Sequence, residues 1–288
     1  MQKEDVLISN NTDSISITII TINYNNNEGL RKTIESVVNQ DSQNFEYIVI
    51  DGGSTDGSRE TIEKFSKKID YWVSEKDSGI YNAMNKGIKI AKGDFILFLN
   101  SGDWLFEEST LSKVNLLINN KSDIFYCNTI FKYDKKDVIV KYDRKISFKF
   151  FIEDNFCHQA TFIRKKLFYD IFFYNEKLKI ASDWEFFIYA ICIKNVSHQY
   201  LDIVVSNYDL RGISSRPEFR DLSLGERQQV LNTHFPMFIS DLEMNPQLKD
   251  KRIPQLLHIK KFKPAWKMLK GFINFLLFFL PKQGHKKS

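Results

Sequence analysis

The stretch DFILFLNSGDW, residues 94–104, decides the fold. Its apolar run, Phe95 to Leu99, shows no helical period and stops at Asn100-Ser101-Gly102-Asp103. A run that short and that apolar reads as a strand buried on both faces. The polar cluster at its end is a turn in the plainest reading. One carboxylate beside an amide is also a fragment of a metal or nucleotide site, and the residue types alone leave both open.

Upstream, the same kind of strand recurs. Residues 15–22 (ISITIITI) are rich in β-branched side chains, and residues 45–50 (FEYIVI) form a second run that breaks at Asp51-Gly52-Gly53. A polar loop over 23–29 precedes a helix over 30–39, and a further helix covers 58–66. A short strand follows at 71–74. Ile80, Ala83, Met84, Ile88 and Ala91 then share one helical face, with Gly93 where a C-cap belongs. Strands alternating with helices over about a hundred residues imply a parallel sheet covered on both faces. Ligands of such sheets bind beyond the carboxyl ends of the strands, so Asn23, Asp51 and Asn100 are expected to converge. After about residue 115 the alternation loosens, with strands expected at 123–133 and 137–142 and a helix at 182–193.

The bulk properties narrow the class. The chain has 288 residues, 43% of them hydrophobic and 27% charged, enough for one large domain with appendages. Its 3 cysteines are odd in number and scattered, which argues against a disulfide framework and for a reducing compartment. Residues 1–14 are polar, lack the apolar centre of a signal peptide and are expected to be flexible. The net charge of +5 is concentrated at the end of the chain, since residues 247–288 carry 11 basic side chains and one acid, Asp250. That distribution excludes a chain-wide nucleic-acid surface and points to an anionic partner for the tail.

Three further stretches carry chemistry. DGGSTDGS (51–58) has glycines between a strand and a helix, but it contains no lysine and matches no phosphate-loop pattern. Asp51 can only accept hydrogen bonds, which suits nucleoside N–H or ribose hydroxyl donors; equally, the segment is a turn capped by Asp56 or Ser58. ASDWEFFIYA (181–190) reads as a capping box, Ser182 to Glu185, opening a helix. Asp183 then sits in the first turn, where the helix dipole keeps a carboxylate ionised, either as a structural charge or as a general base. His158, beside Gln159 in CHQATF, is either a satisfied core histidine or a residue touching an acceptor.

Taken together, these stretches resemble family 2 glycosyltransferases of the GT-A fold over roughly residues 15–215. The resemblance rests on IITINYN (19–25), YIVIDGGSTDGS (47–58), SEKDSGIYNAMNKGIKIAKGDFILFLNSGD (74–103), CHQATF (157–162), ASDWEFF (181–187) and YDLRGISS (208–215) in that order. It is nearest to bacterial members that build surface polysaccharides or lipid-linked glycans. The fold implied is α/β, a mostly parallel central sheet with helices on both faces, followed by a helical tail. The implied division is a catalytic domain over 15–225, with a donor half to 110 and an acceptor half from 111, and an extension over 226–288. The implied chemistry is inverting transfer from a nucleotide-diphosphate sugar, UDP-linked by expectation, with Mn²⁺ or Mg²⁺ as cofactor. By position, Asn23, Tyr24, Asp51, Asp77, Asn100 and Asp103 would bind the donor, and Asp103 would hold the metal. Asp183 would be the catalytic base, with His158 and Glu185 toward the acceptor. Many members write Asp-Asp-Gly for Asp51-Gly52-Gly53 and Asp-x-Asp-Asp for Asn100-Ser101-Gly102-Asp103, so this chain carries fewer acids. Nucleotidyl transfer and a non-catalytic sugar-nucleotide scaffold are the alternatives.

The tail is apolar from Trp266 to Leu280, with lysines within and around it. It is shorter than the roughly 20 residues a spanning helix needs, so an interfacial helix on anionic lipid is expected over 262–288. A cytoplasmic protein, peripheral on the inner face of the cell membrane, is the corresponding location.

Overall fold

The computed structural model describes residues 15–133, 136–142, 145–212, 215–239 and 252–280. The expected flexible N-terminus, 1–14, lies outside the described residues, as do 240–251 and 281–288 of the tail. The chain forms two compact units, 1–229 and 230–288.

The first unit is built on a nine-stranded sheet. Its first half is β1 (Ile17–Asn23), β2 (Glu46–Asp51), β3 (Tyr71–Ser74) and β4 (Phe95–Phe98), ordered β3-β2-β1-β4 and parallel throughout. Helices α1 (Asn27–Val38), α2 (Ser58–Phe65) and α3 (Ile80–Ile90) make the crossovers. The continuous apolar runs have a simple cause: alternate side chains bury against different layers. Ile17, Ile19, Val49 and Leu97 join Leu30, Ile34 and Ile62 of α1 and α2 in one core cluster. On the other face, the Phe98 ring meets Phe168 and Tyr174 edge-on or tilted. Each fully buried side chain of this size contributes about 1.5–3 kcal/mol, and the buried polar residues within β1, Thr18 and Thr21, are each hydrogen-bonded, to Glu46 and Tyr47.

Elements beyond residue 100 are less regular. They are β5 (Trp104–Leu105), α4 (Thr110–Leu117), β6 (Ile124–Lys132), β7 (Asp137–Val140), α5 (Phe148–Glu153), β8 (Thr161–Arg164), α6 (Lys166–Asp170), α7 (Ser182–Cys192), β9 (His198–Asp209) and α8 (Arg220–His234). The sheet continues β4-β8-β6-β9-β5, with β7 also on β6. Here β6 and β9 are parallel while β8, β7 and β5 pair antiparallel, giving a mixed half beside the parallel one.

Two local expectations differ from what is found. Helix α1 starts at Asn27 rather than Leu30, because Asn26 caps it, its Oδ1 accepting from Gly29 N at 3.2 Å. Helix α3 stops at Ile90 without a glycine cap, and the Gly93 N–H instead donates to Thr18 Oγ1 at 2.9 Å. The second unit contains the helices Arg252–Lys260 and Lys263–Phe278. None of the latter helix's residues is buried, and among the described residues no helix is long and apolar enough to cross a membrane.

Candidate active site

Sheet register assembles the first part of the site. Asn23 pairs with Asp51 and Asp51 with Ser74, so the last residues of β1, β2 and β3 stand side by side. Asp51 Oδ1 accepts from Asn23 Nδ2 (2.7 Å) and Ser54 Oγ (2.6 Å). Its Oδ2 accepts from Ser74 Oγ (2.6 Å) and Ser54 N (3.0 Å). Burial alone would raise the Asp51 pKa, but these donors hold it below the ordinary value. The carboxylate is fully buried with both oxygens engaged, and it ties the loop after β2 to the strand ends rather than lining the cleft.

That cleft, about 920 Å³, opens over the carboxyl ends of the parallel strands. Asn23, Tyr24, Asp77, Asn100, Asp103, His158 and Asp183 all line it. Tyr24 is largely exposed there, and Asp77 fits because residue 52 is glycine: a Cβ on Gly52 would fall 2.6 Å from Asp77 Oδ2 and 3.2 Å from the Tyr24 ring. The turn after β4 places Asp103, with Gly102 at φ +106, in the left-handed region that glycine accepts without strain. Thr33 Oγ1 donates to the Asp103 carbonyl (2.6 Å), and Asp103 Oδ1 accepts from Asp209 N (2.8 Å). Burial pushes the Asp103 pKa up to about 7, against the pull of the Asp209 backbone hydrogen bond and His158, with the Asp209 charge adding to the rise.

A hydrogen-bonded chain crosses the cleft from this turn to α7. Asn100 Nδ2 lies 3.0 Å from His158 Nε2, and His158 Nδ1 lies 3.1 Å from Asp183 Oδ2. Asn155 Nδ2 also reaches Asp183 Oδ2 (3.4 Å), while Asp183 Oδ1 accepts from the Tyr81 hydroxyl (3.2 Å) and Trp184 N (2.8 Å). Burial would lower the His158 pKa, but the hydrogen bond and charge of Asp183, with the charge of Asp103, raise it overall. Asn100 Oδ1 is buried and has no partner among the described residues.

The capping box expected at α7 does not form. Ser182 is the first helical residue rather than the cap, and its Oγ accepts from Asn175 N (2.5 Å). Glu185 is buried within α7 and does not line the cleft. Sequence reading also missed Tyr81, Asp209, Arg211 and Arg216, which line the cleft too. Arg211 forks onto Asp209, with Nη2 to Oδ2 at 2.6 Å and Nε to the two oxygens at 3.0 and 2.9 Å. Two of these, Asp209 and Arg211, sat inside YDLRGISS and Arg216 directly follows it; charged residues after a long strand were the available signal.

Residues 18–178 match the glycosyl transferase family 2. The chain belongs to that family. It is 31% identical over 181 residues to a PGL/p-HBAD biosynthesis glycosyltransferase of Mycobacterium bovis, covering 61% of this chain and 70% of the relative. Among solved structures it resembles S. aureus TarS 1–349 in complex with UDP-GlcNAc, at TM-score 0.59 and 19% identity over 87% of this chain and 80% of that one. It covers only 36% of a longer S. aureus TarS chain. A mannosyltransferase from Pyrobaculum calidifontis, in complex with GDP-Man and Mn²⁺, superposes at TM-score 0.52 and 14% identity over 88% of this chain and 82% of that one. The structural likenesses show the GT-A type of fold for this glycosyltransferase.

Proposed function

We propose that this chain is an inverting, metal-dependent transferase. It would move a sugar from a UDP-sugar to a hydroxyl of a glycan or lipid-linked acceptor in bacterial surface-polysaccharide synthesis. The observation that carries the reading is one cleft lined by both Asp103 and Asp183, with Asp183 joined through His158 to Asn100 in the turn that carries Asp103. The UDP-GlcNAc bound by TarS and the biosynthetic role in the name of the mycobacterial relative support the donor and product classes.

The donor set fits a hard divalent cation only in part. Among the described residues there is no group of three potential ligands, but Mg²⁺-like ions take one or two protein carboxylates and complete their shell with substrate phosphates and water. Asp103 supplies the carboxylate, and the Mn²⁺ of the Pyrobaculum enzyme supports the ion type. When bound, the cation offsets charge on the departing diphosphate as a Lewis acid. Asp183 accepts the proton of the attacking hydroxyl as it closes on the anomeric carbon from the face opposite the leaving group. Tyr81, Asn155 and His158 hold the carboxylate in one orientation for that transfer. Asp183→Asn keeps the shape but cannot take the proton. Turnover is expected to fall by at least about 10³-fold with donor affinity within a few-fold, and chelation of divalent ions should stop the wild type until Mn²⁺ or Mg²⁺ is returned. Wild-type turnover by the variant would remove the base from Asp183.

The helix Lys263–Phe278 supports peripheral membrane contact. Phe272, Phe275, Phe278 and Phe279 are well exposed, with Lys260, Lys261, Lys263, Lys267 and Lys270 on and before the helix. Aromatic side chains that enter the acyl boundary and lysines that meet anionic headgroups suit an interfacial helix. A chain ending at residue 261 should lose co-sedimentation with phosphatidylglycerol vesicles, and equal sedimentation of the two forms would refute the contact.

A further inference from the structure

Helix α7 carries the proposed base yet has no side-chain cap of its own. The segment that leads into it is held instead from 45 residues further along the chain. The carboxylate of Glu226, on α8, accepts three consecutive backbone N–H groups: Lys179 N at 2.7 Å on Oε1, and Ile180 N and Ala181 N at 3.0 Å each on Oε2. The same short segment is held from its other side, where the Tyr81 hydroxyl donates to the Ile180 carbonyl at 2.6 Å. The Ala181 carbonyl in turn starts α7 by accepting from Glu185 N at 2.8 Å. Lys179 and Ile180 line the cleft, and Asp183 follows two residues after Ala181.

Glu226 is buried, so its hydrogen bonds are not exchanged for water, and a carboxylate at a helix N-terminus is favoured by the helix dipole. Its neighbour Arg227 adds a second grip, its guanidinium lying 5.0 Å from the Trp184 ring centroid, one residue past Asp183. Eight residues before Arg227, Phe219 lines the cleft, as do Arg211 and Arg216 in the preceding segment. Asp209, whose backbone N–H donates to Asp103, and Glu226, which accepts from the segment that carries Asp183, thus bracket the cleft residues Arg211, Arg216 and Phe219 in the sequence.

We infer that Glu226 is a positioning residue for the transfer reaction: its carboxylate fixes the backbone over Lys179–Ala181 and through it the place of Asp183. The inference rests on Asp183 as the base. Glu226 touches no cleft space and takes no proton. It acts by setting where Asp183 stands relative to an incoming hydroxyl, and a misplacement of about 1 Å in such a group costs on the order of 10²-fold in rate.

The experiment compares wild type with Glu226→Gln, whose amide keeps one acceptor oxygen but sets an NH2 group against a backbone N–H that needs an acceptor. Turnover is measured per site competent to bind UDP, counted by calorimetry, so that a smaller folded fraction does not register as lost rate. The expected result is a fall in kcat of about 10²-fold with donor KM within about threefold, and faster amide exchange confined to residues 179–181 and the first turn of α7. If Glu226→Gln does not accumulate folded, Glu226→Asp, which draws the carboxylate back by one methylene, is read in the same way. Unchanged kcat per competent site, or unchanged exchange at 179–181, overturns the inference. Its failure is separable from failure of the base: wild-type turnover by Asp183→Asn removes the base, whereas an inactive Asp183→Asn beside a fully active Glu226→Gln removes only the positioning role.

Discussion

The two ends of the cleft are held in different ways. At the strand end, Asn23, Asp51 and Ser74 are adjacent because three parallel strands end in register, and Ser54 lies three residues after Asp51. At the other end, Asp183 is surrounded by Tyr81 from α3, by Asn155 and His158 from the segment before β8, and by a backbone that Glu226 anchors from α8. The first network is a property of the sheet. The second is a meeting of separate elements, and nothing in it survives if one of them shifts. A network fixed by register makes a rigid platform. One assembled from several elements can place a reactive group where no single strand would put it, at the expense of needing each partner.

Breaking the platform should therefore cost stability before it costs anything else. Asp51→Ala leaves the donors of Asn23, Ser54 and Ser74 facing a buried gap where a carboxylate stood. Each unmet buried donor costs about 1–3 kcal/mol, part of it recovered by entering water, so a loss on the order of 3 kcal/mol is expected in urea unfolding. A loss below about 1 kcal/mol would mean that strand pairing alone holds these ends. The comparison would then collapse into a difference of degree.

The same contrast explains what could be read from the sequence. Strands β1, β2 and β4 and the convergence of Asn23 and Asn100 on one cleft are local consequences of apolar runs ending in polar residues. Asp103 and Asp183 were named as well, by likeness to a family pattern rather than by any spacing that ties them together. Glu226 was not legible, because its partners are backbone N–H groups, which every residue has, at 45 to 47 positions' distance. Tyr81 hydrogen-bonds Asp183 across 102 residues and looks from the sequence like one more apolar-face residue of α3. Ser182 and Glu185 misled in the opposite direction. They have the spacing of a capping box, but Ser182 is drawn to Asn175 and the helix begins one residue too early for it to cap. The mixed half of the sheet was half seen for a related reason: β9 pairs with β6 through register shifts around Asn128, which break the alternation a strand would otherwise show.

The smallest expected effect tests whether His158 carries charge in its bridge. Its pKa is raised because the hydrogen bond and charge of Asp183, helped by Asp103, outweigh a burial that would lower it. The charged ring is thus favoured in the folded chain over the unfolded one. The resulting stabilisation is fully present below the ordinary histidine value of about 6.5 and is lost as pH rises through the higher folded value. The Asn100 amide makes the two states chemically distinct. A neutral ring donates from Nδ1 to Asp183 and accepts from Asn100 Nδ2, whereas a charged ring has an Nε2–H that needs the Asn100 Oδ1 now left without a partner. Turning that amide over satisfies both groups at once, so protonation of the ring and orientation of Asn100 are coupled. His158→Gln removes the titrating group while keeping a polar side chain. The difference in thermal midpoint between wild type and this variant should be greatest near pH 6 and shrink steadily toward pH 9. A gap that widens with rising pH would mean that the ring is neutral in the folded chain and that Asp183 is held by an uncharged donor.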